Sequence, residues 1–316
     1  MPRKSGGRSG DASELWRFAT AAGGLVAILG IVFAGLPLGG GLAGFALLFG
    51  VVTFAARDPA PAPLGIANRL TLTRLAVLAA LAGTALWAPV SVDARLALGG
   101  WIPCLAYGAA ALGDFADGAV ARRTGSASAF GARLDAESDA LGMAAGTGIA
   151  VLWSGVLPPW YLLAGFGRYL FGAALFLETR LGRRLRELPP SPFRRRLAGF
   201  QMGLVTVCLA PFIEPEWAPP ATLALGVPFL AGFGRDYLIA SGRLDPDSAA
   251  SRRFLSRLAR LRSPASGAAA VLAAALGAAK LAGLPTGSWF LAAFFFAWLM
   301  RPPRPGARRG SGPHAG

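Results

Sequence analysis

Gly113-Asp114-Phe115-Ala116-Asp117-Gly118-Ala119-Val120-Ala121-Arg122 is followed, eight residues on, by Gly131-Ala132-Arg133-Leu134-Asp135-Ala136-Glu137-Ser138-Asp139. Asp114 and Asp117 stand three apart and Asp135 and Asp139 four apart, so each pair shares one face of a helix. Two such faces opposed make a cage of carboxylates. Crowded carboxylates stay ionised only when a cation lies between them, and an all-oxygen ligand set selects Mg²⁺, Mn²⁺ or Ca²⁺ over zinc. The stretch therefore predicts a divalent-metal site built on two helices.

Outward from these runs the chain is apolar. Of its 316 residues 54% are hydrophobic and 15% charged, and the mean hydropathy is +0.51. This composition excludes a soluble domain and points to an all-α, polytopic membrane bundle. Apolar runs of about 15 to 23 residues predict spans near 18–35, 41–56, 72–90, 96–113, 134–156, 159–178, 198–213, 219–240, 265–283 and 286–300. The first is read as an uncleaved span, because its apolar run is long for a secretory signal and further spans follow.

Lysine and arginine test that topology, because they collect in cytoplasmic segments. With the N-terminus inside, 27 of the 31 basic residues fall in inside segments, only Arg95 falls in an outside loop, and Arg168, Arg235 and Lys280 fall within spans. The bias predicts both termini inside and an aspartate cluster open to the cytoplasm, in what reads as a bacterial cytoplasmic membrane. The net charge of +15 is divided among six such segments, which argues against nucleic acid as a partner. Residues 251–263 read either as a basic amphipathic helix lying on anionic lipid or as a solvated linker.

Cys104 and Cys208 fall in apolar spans, so neither a disulfide nor a zinc site is indicated. His314 is the only histidine, which leaves acid and base chemistry to carboxylates. Five of the 16 acidic residues, Asp114, Asp117, Asp135, Glu137 and Asp139, lie between 114 and 139.

The motif D-x2-D-G-x2-A-R-x8-G-x3-D-x3-D resembles the signature of the CDP-alcohol phosphatidyltransferase family at all eight specified positions, and the resemblance covers roughly Pro63 to Ser241. Upstream, Asn68-x-x-Thr71-x-x-Arg74 resembles the family's helix opening, with Ala67 where the family usually has proline. The resemblance implies a six-helix core within residues 58–241, here the third to eighth spans. Around it lie an N-terminal tail and two-span hairpin (1–57), a basic linker (242–264), a C-terminal hairpin (265–300) and a disordered basic tail (301–316).

The resemblance further implies an enzyme of phospholipid biosynthesis that moves the phosphatidyl group of CDP-diacylglycerol to an alcohol and releases CMP. Asp114, Asp117, Asp135 and Asp139 would hold two Mg²⁺ or Mn²⁺ ions, with Asp139 also the catalytic base. Asn68, Thr71, Arg74, Asp114, Gly118, Ala121, Arg122 and Gly131 would bind the CDP donor, Arg122 through its diphosphate. Gly118 and Gly131 also read as close-packing positions between helices, and Asn68 as a helix cap.

For the acceptor the candidates are Arg168, Arg194, Arg195 and Arg235. Arg168 reads as a charge deep in a span with no acidic partner there, while Arg235 reads equally as the local partner of Asp236. The loop Ser191-Pro192-Phe193-Arg194-Arg195-Arg196 resembles the family's basic loop. These cations favour a polyol phosphate such as glycerol 3-phosphate or inositol phosphate. Membrane lipids and the acceptor are the expected partners, and a homodimer is left open. Two alternatives remain: a phosphotransferase from a CDP-linked small alcohol to diacylglycerol, and an ion-coupled transporter with aspartates buried in glycine-broken spans.

Overall fold

A computed structural model of the chain describes residues 8–34, 38–57, 64–87, 100–124, 128–188, 192–213, 215–249 and 253. The predicted spans 265–283 and 286–300, most of the basic stretch 251–263, and the C-terminal tail lie outside them. The described residues are helical, with no strand among them. The helices are α1 (Arg8–Ala34), α2 (Leu38–Ala55), α3 (Ile66–Trp87), α4 (Ile102–Thr124), α5 (Ala129–Leu152), α6 (Leu162–Gly165), α7 (Gly167–Arg180), α8 (Pro192–Cys208) and α9 (Ala218–Ala240).

Helix α3 is the axis of the bundle and packs against α1, α2, α4 and α5. Its apolar positions Leu72, Leu75, Leu78, Ala79 and Ala82 are buried, and so are its polar residues Asn68, Thr71, Arg74 and Thr84. Glycine brings α2 against it at backbone distance. A Cβ on Gly83 would stand 2.1 Å from the Gly40 carbonyl oxygen, and one on Gly44 would stand 2.6 Å from that of Ala79. Small residues permit this approach where lipid offers no hydrophobic drive for helices to associate.

The N-terminal hairpin thus packs directly against α3. Glu14 of α1 accepts from the Leu64 amide at 3.0 Å and from Arg69 at 2.6 Å, which fastens α1 to the start of α3. At the end of α2, the Phe54 ring lies under Arg57 and under Arg133 of α5, at 4.4 and 5.7 Å. The starts of α1, α3 and α5 and the end of α2 therefore meet at one end of the bundle.

Among the described residues three helices are long and apolar enough to cross a membrane: Leu38–Ala55, Ile66–Leu86 and Ala218–Ala240, with a fourth if Pro159–Gly165 and Gly167–Arg180 form one bent span. Ten spans were expected over the whole chain. Among the described helices α5 falls short for a chemical reason: Asp135, Glu137 and Asp139 all lie in the first half of its 24 residues. The expected single span 159–178 is broken, with its two parts at 64°. Glycines flank the break and pack closely there. A Cβ on Gly165 would stand 2.7 Å from Thr147, and one on Gly167 would stand 3.0 Å from Phe233. Apolar continuity across the break hid it from a hydropathy reading.

Candidate active site

Helix α4 does not stop where the apolar run ends. It continues past Asp114 to Thr124, so the backbone of the whole first half of the motif is helical. The second half begins at a cap: the Ser128 side chain, in extended backbone, accepts from the Gly131 amide at 3.0 Å. This satisfies one of the orphan N–H groups of the first turn. From that fixed start, Asp135 and Asp139 fall one turn apart on the face turned toward α3 and α4.

There they meet Asp114. One carboxylate oxygen from each of Asp114, Asp135 and Asp139 lies within 4.8 Å of the others. Arg74 of α3 joins all three, donating to Asp114 at 2.8 Å, Asp135 at 2.5 Å and Asp139 at 3.2 Å. The Arg74 side chain is only 3% exposed, whereas the carboxylates are 30% (Asp114), 42% (Asp135) and 37% (Asp139) exposed. The guanidinium therefore lies beneath and the carboxylates face outward. Hard anionic oxygens in a half-open cluster fit a Mg²⁺ or Mn²⁺ ion by chemistry and spacing.

The family resemblance sets Arg74 with Asn68 and Thr71 on one face of α3, among the donor-binding residues. The Arg74 guanidinium reaches the carboxylates. Asn68 stays near the helix start, close to the motif: a Cβ on Gly131 would stand 2.7 Å from Asn68 Oδ1. Gly131 thus leaves room for the Asn68 side chain. Thr71 is buried and donates to the Ala67 carbonyl at 3.0 Å. The side chains of Asp117, Gly118, Ala121, Arg122, Arg194 and Arg195 lie outside the described residues.

Arg168 needs a correction. It is the second residue of α7, just after the break, with a side chain 48% exposed, and it pairs with Glu137 Oε1 of α5 at 2.6 Å. It is neither deeply buried nor without a counter-ion. Its partner stands between Asp135 and Asp139, and this role of Glu137 was missed. The signal was its place two residues from each aspartate, which turns it away from their face and toward a neighbouring helix. Arg235 is half-exposed and 4.0 Å from Asp236, in agreement with a local pairing.

A second polar cluster lies at the ends of α7 and α9. Buried Glu178 accepts from the Tyr237 hydroxyl, from Arg183 at 2.7 Å and from Arg243 at 2.9 Å. The Arg186 amide donates to the Ala240 carbonyl at 2.8 Å, so the chain after α7 is tied to the end of α9.

Among the described residues the chain is a helical bundle with a carboxylate cluster at one end that could hold a metal ion. The chain matches the family model for CDP-alcohol phosphatidyltransferase over residues 64–230, and it belongs to that family. The match runs from just before α3 into α9 and includes every carboxylate of the cluster. Members of the family are phosphotransferases that move a phosphatidyl group from a CDP-alcohol. No curated protein and no solved structure matches the chain.

Proposed function

We propose that this protein transfers the phosphatidyl group of CDP-diacylglycerol to the hydroxyl of a polyol phosphate, releasing CMP, in phospholipid biosynthesis at the cytoplasmic face of the membrane. The observation that carries this reading is the convergence of Asp114, Asp135 and Asp139 from two helices on one half-open patch, within the family's matched region. Mg²⁺ or Mn²⁺ held by these residues, with Asp117 from the same motif, supplies charge neutralisation for the diphosphate and the developing CMP leaving group.

The chain's own residues do the rest. Arg122 binds the donor diphosphate, and Asn68, at the start of α3, contacts the cytidine. Gly118 and Ala121 keep the helix surface low enough for the nucleotide to approach, and Gly131 serves the donor by leaving Asn68 its room. Asp139 takes the proton from the acceptor hydroxyl as its oxygen attacks the diacylglycerol-linked phosphorus.

Arg168 is the acceptor residue. The Glu137 pair at 2.6 Å holds its guanidinium beside the motif helix, and the exposed remainder meets the acceptor's phosphate. The basic residues Arg194 and Arg195 extend that attraction. The test is CMP release from CDP-diacylglycerol in liposomes with glycerol 3-phosphate, inositol phosphate, inositol and serine. The reading predicts turnover with a phosphorylated polyol. A free alcohol as the better acceptor would overturn the acceptor assignment.

A further inference from the structure

Three carboxylates at one spot carry three negative charges, and separated only by water they would repel one another and resist being held together. The fold places one cation among them. Arg74 contacts Asp114, Asp135 and Asp139 at 2.8, 2.5 and 3.2 Å from a position almost fully sealed from solvent. A buried guanidinium is costly unless paired and hydrogen-bonded, and here it is paired three times over. Its place beneath the carboxylates, away from their exposed side, separates it from the surface a nucleotide would approach.

We propose that Arg74 is a built-in counter-cation of the metal site: it holds the three carboxylates together when no ion is bound, and it sets how tightly the site takes a divalent ion. This rests on the metal-site reading above, and it makes Arg74 a positioning residue that acts through the aspartates. With Arg74 in place the three carboxylates it contacts carry a net charge of minus two, to which Asp117 of the same motif adds one more negative charge. Without Arg74 those three carry minus three. The ion should then bind more tightly, and the ion-free protein should be less stable.

The two consequences have opposite signs, which separates this role from mere packing. In Arg74→Gln, purified with Mn²⁺ present, Mn²⁺ binding followed by electron paramagnetic resonance should be tighter than in the native protein by about tenfold or more. The thermal midpoint of the variant should fall well below native in chelator and recover most of that loss in saturating Mn²⁺. The native midpoint should move much less between the two conditions. Arg74→Lys, which keeps the charge, should bind Mn²⁺ nearly as the native protein does.

Unchanged or weaker Mn²⁺ binding by Arg74→Gln, with native binding intact, would overturn the proposal and leave the metal site standing. A midpoint equally low in chelator and in Mn²⁺ would overturn it too, because the ion would then have failed to replace the guanidinium. An Arg74→Gln chain that cannot be folded even with Mn²⁺ counts the same way. No Mn²⁺ binding by the native protein would overturn the metal reading itself, and this proposal with it.

Discussion

Gly131→Ala separates a glycine needed for packing from one needed for the donor. The added Cβ would stand 2.7 Å from Asn68 Oδ1 and 3.2 Å from Ser128 Oγ, where ordinary contact begins at 3.4 Å. The Asn68 amide must therefore retreat by about 0.7 Å, while Ser128 need yield only a few tenths of an ångström. Both obstacles are ends of side chains, so the backbones of α3 and α5 can stay where they are. The variant should fold, with a stability loss toward the low end of the 1–3 kcal/mol typical of overpacking, roughly 1 kcal/mol. If Asn68 contacts the cytidine, its displacement costs about one neutral hydrogen bond, 0.5–1.5 kcal/mol, which is about a two- to twelvefold rise in the donor's KM.

The assay is CMP release with CDP-diacylglycerol varied at saturating acceptor, paired with thermal unfolding. Asn68→Ala should raise the donor KM by a similar factor. The double variant should add little to either single one, because the two act through the same contact. A donor KM unchanged in Gly131→Ala, or two effects that multiply in full, would refute the reasoning.

Gly83→Ala should behave differently. Its Cβ would meet the Gly40 carbonyl oxygen at 2.1 Å and the Gly44 amide nitrogen at 2.5 Å, and no rotamer change relieves a backbone clash. It should cost at least about 3 kcal/mol, seen as a thermal midpoint lowered by several degrees in detergent. Arg168→Ala should raise the acceptor's KM by about tenfold or more while leaving the donor's within about twofold, and Glu137→Gln should reproduce part of that effect. Equal loss on both substrates would remove Arg168 from the acceptor side. At Glu14, the Leu64 amide first and Arg69 second hold the carboxyl below its ordinary range. A lowered folded value means the stabilisation is present above the unfolded value of about 4.3 and lost as pH falls below it. The gap between native and Glu14→Gln thermal midpoints should therefore close on acidification, and a gap independent of pH would show that the carboxylate charge plays no part.

Local periodicity was readable without coordinates, and long-range pairing was not. The apolar runs placed α2, α3, α5 and α9 to within several residues. The four-residue step from Asp135 to Asp139 put both on one helical face, because a helix has that period and nothing else in the argument was needed. Arg74 lies 40 residues from Asp114 and 61 from Asp135, so its spacing from Asn68 and Thr71 showed only which face it shares and not what that face meets. Arg168 was misread because the hydropathy of 159–178 is continuous across a break made by close glycine contacts with α5 and α9. Once the helix is broken there, the arginine sits at a helix start within reach of Glu137. The contact of the N-terminal hairpin with α3 was not legible either, because Gly40 and Gly44 meet Gly83 and Ala79 at backbone distance and Glu14 lies 55 residues from its partner Arg69.

The most direct measurement is CMP release from CDP-diacylglycerol by the purified protein in Mg²⁺, compared between the native chain and Asp139→Asn, with Mn²⁺ binding followed in both. The account predicts that native release requires an added alcohol and a divalent ion, and that Asp139→Asn still binds Mn²⁺ but releases CMP at least about a hundredfold more slowly. Native-like CMP release by Asp139→Asn, or release by the native protein in excess chelator, would contradict it.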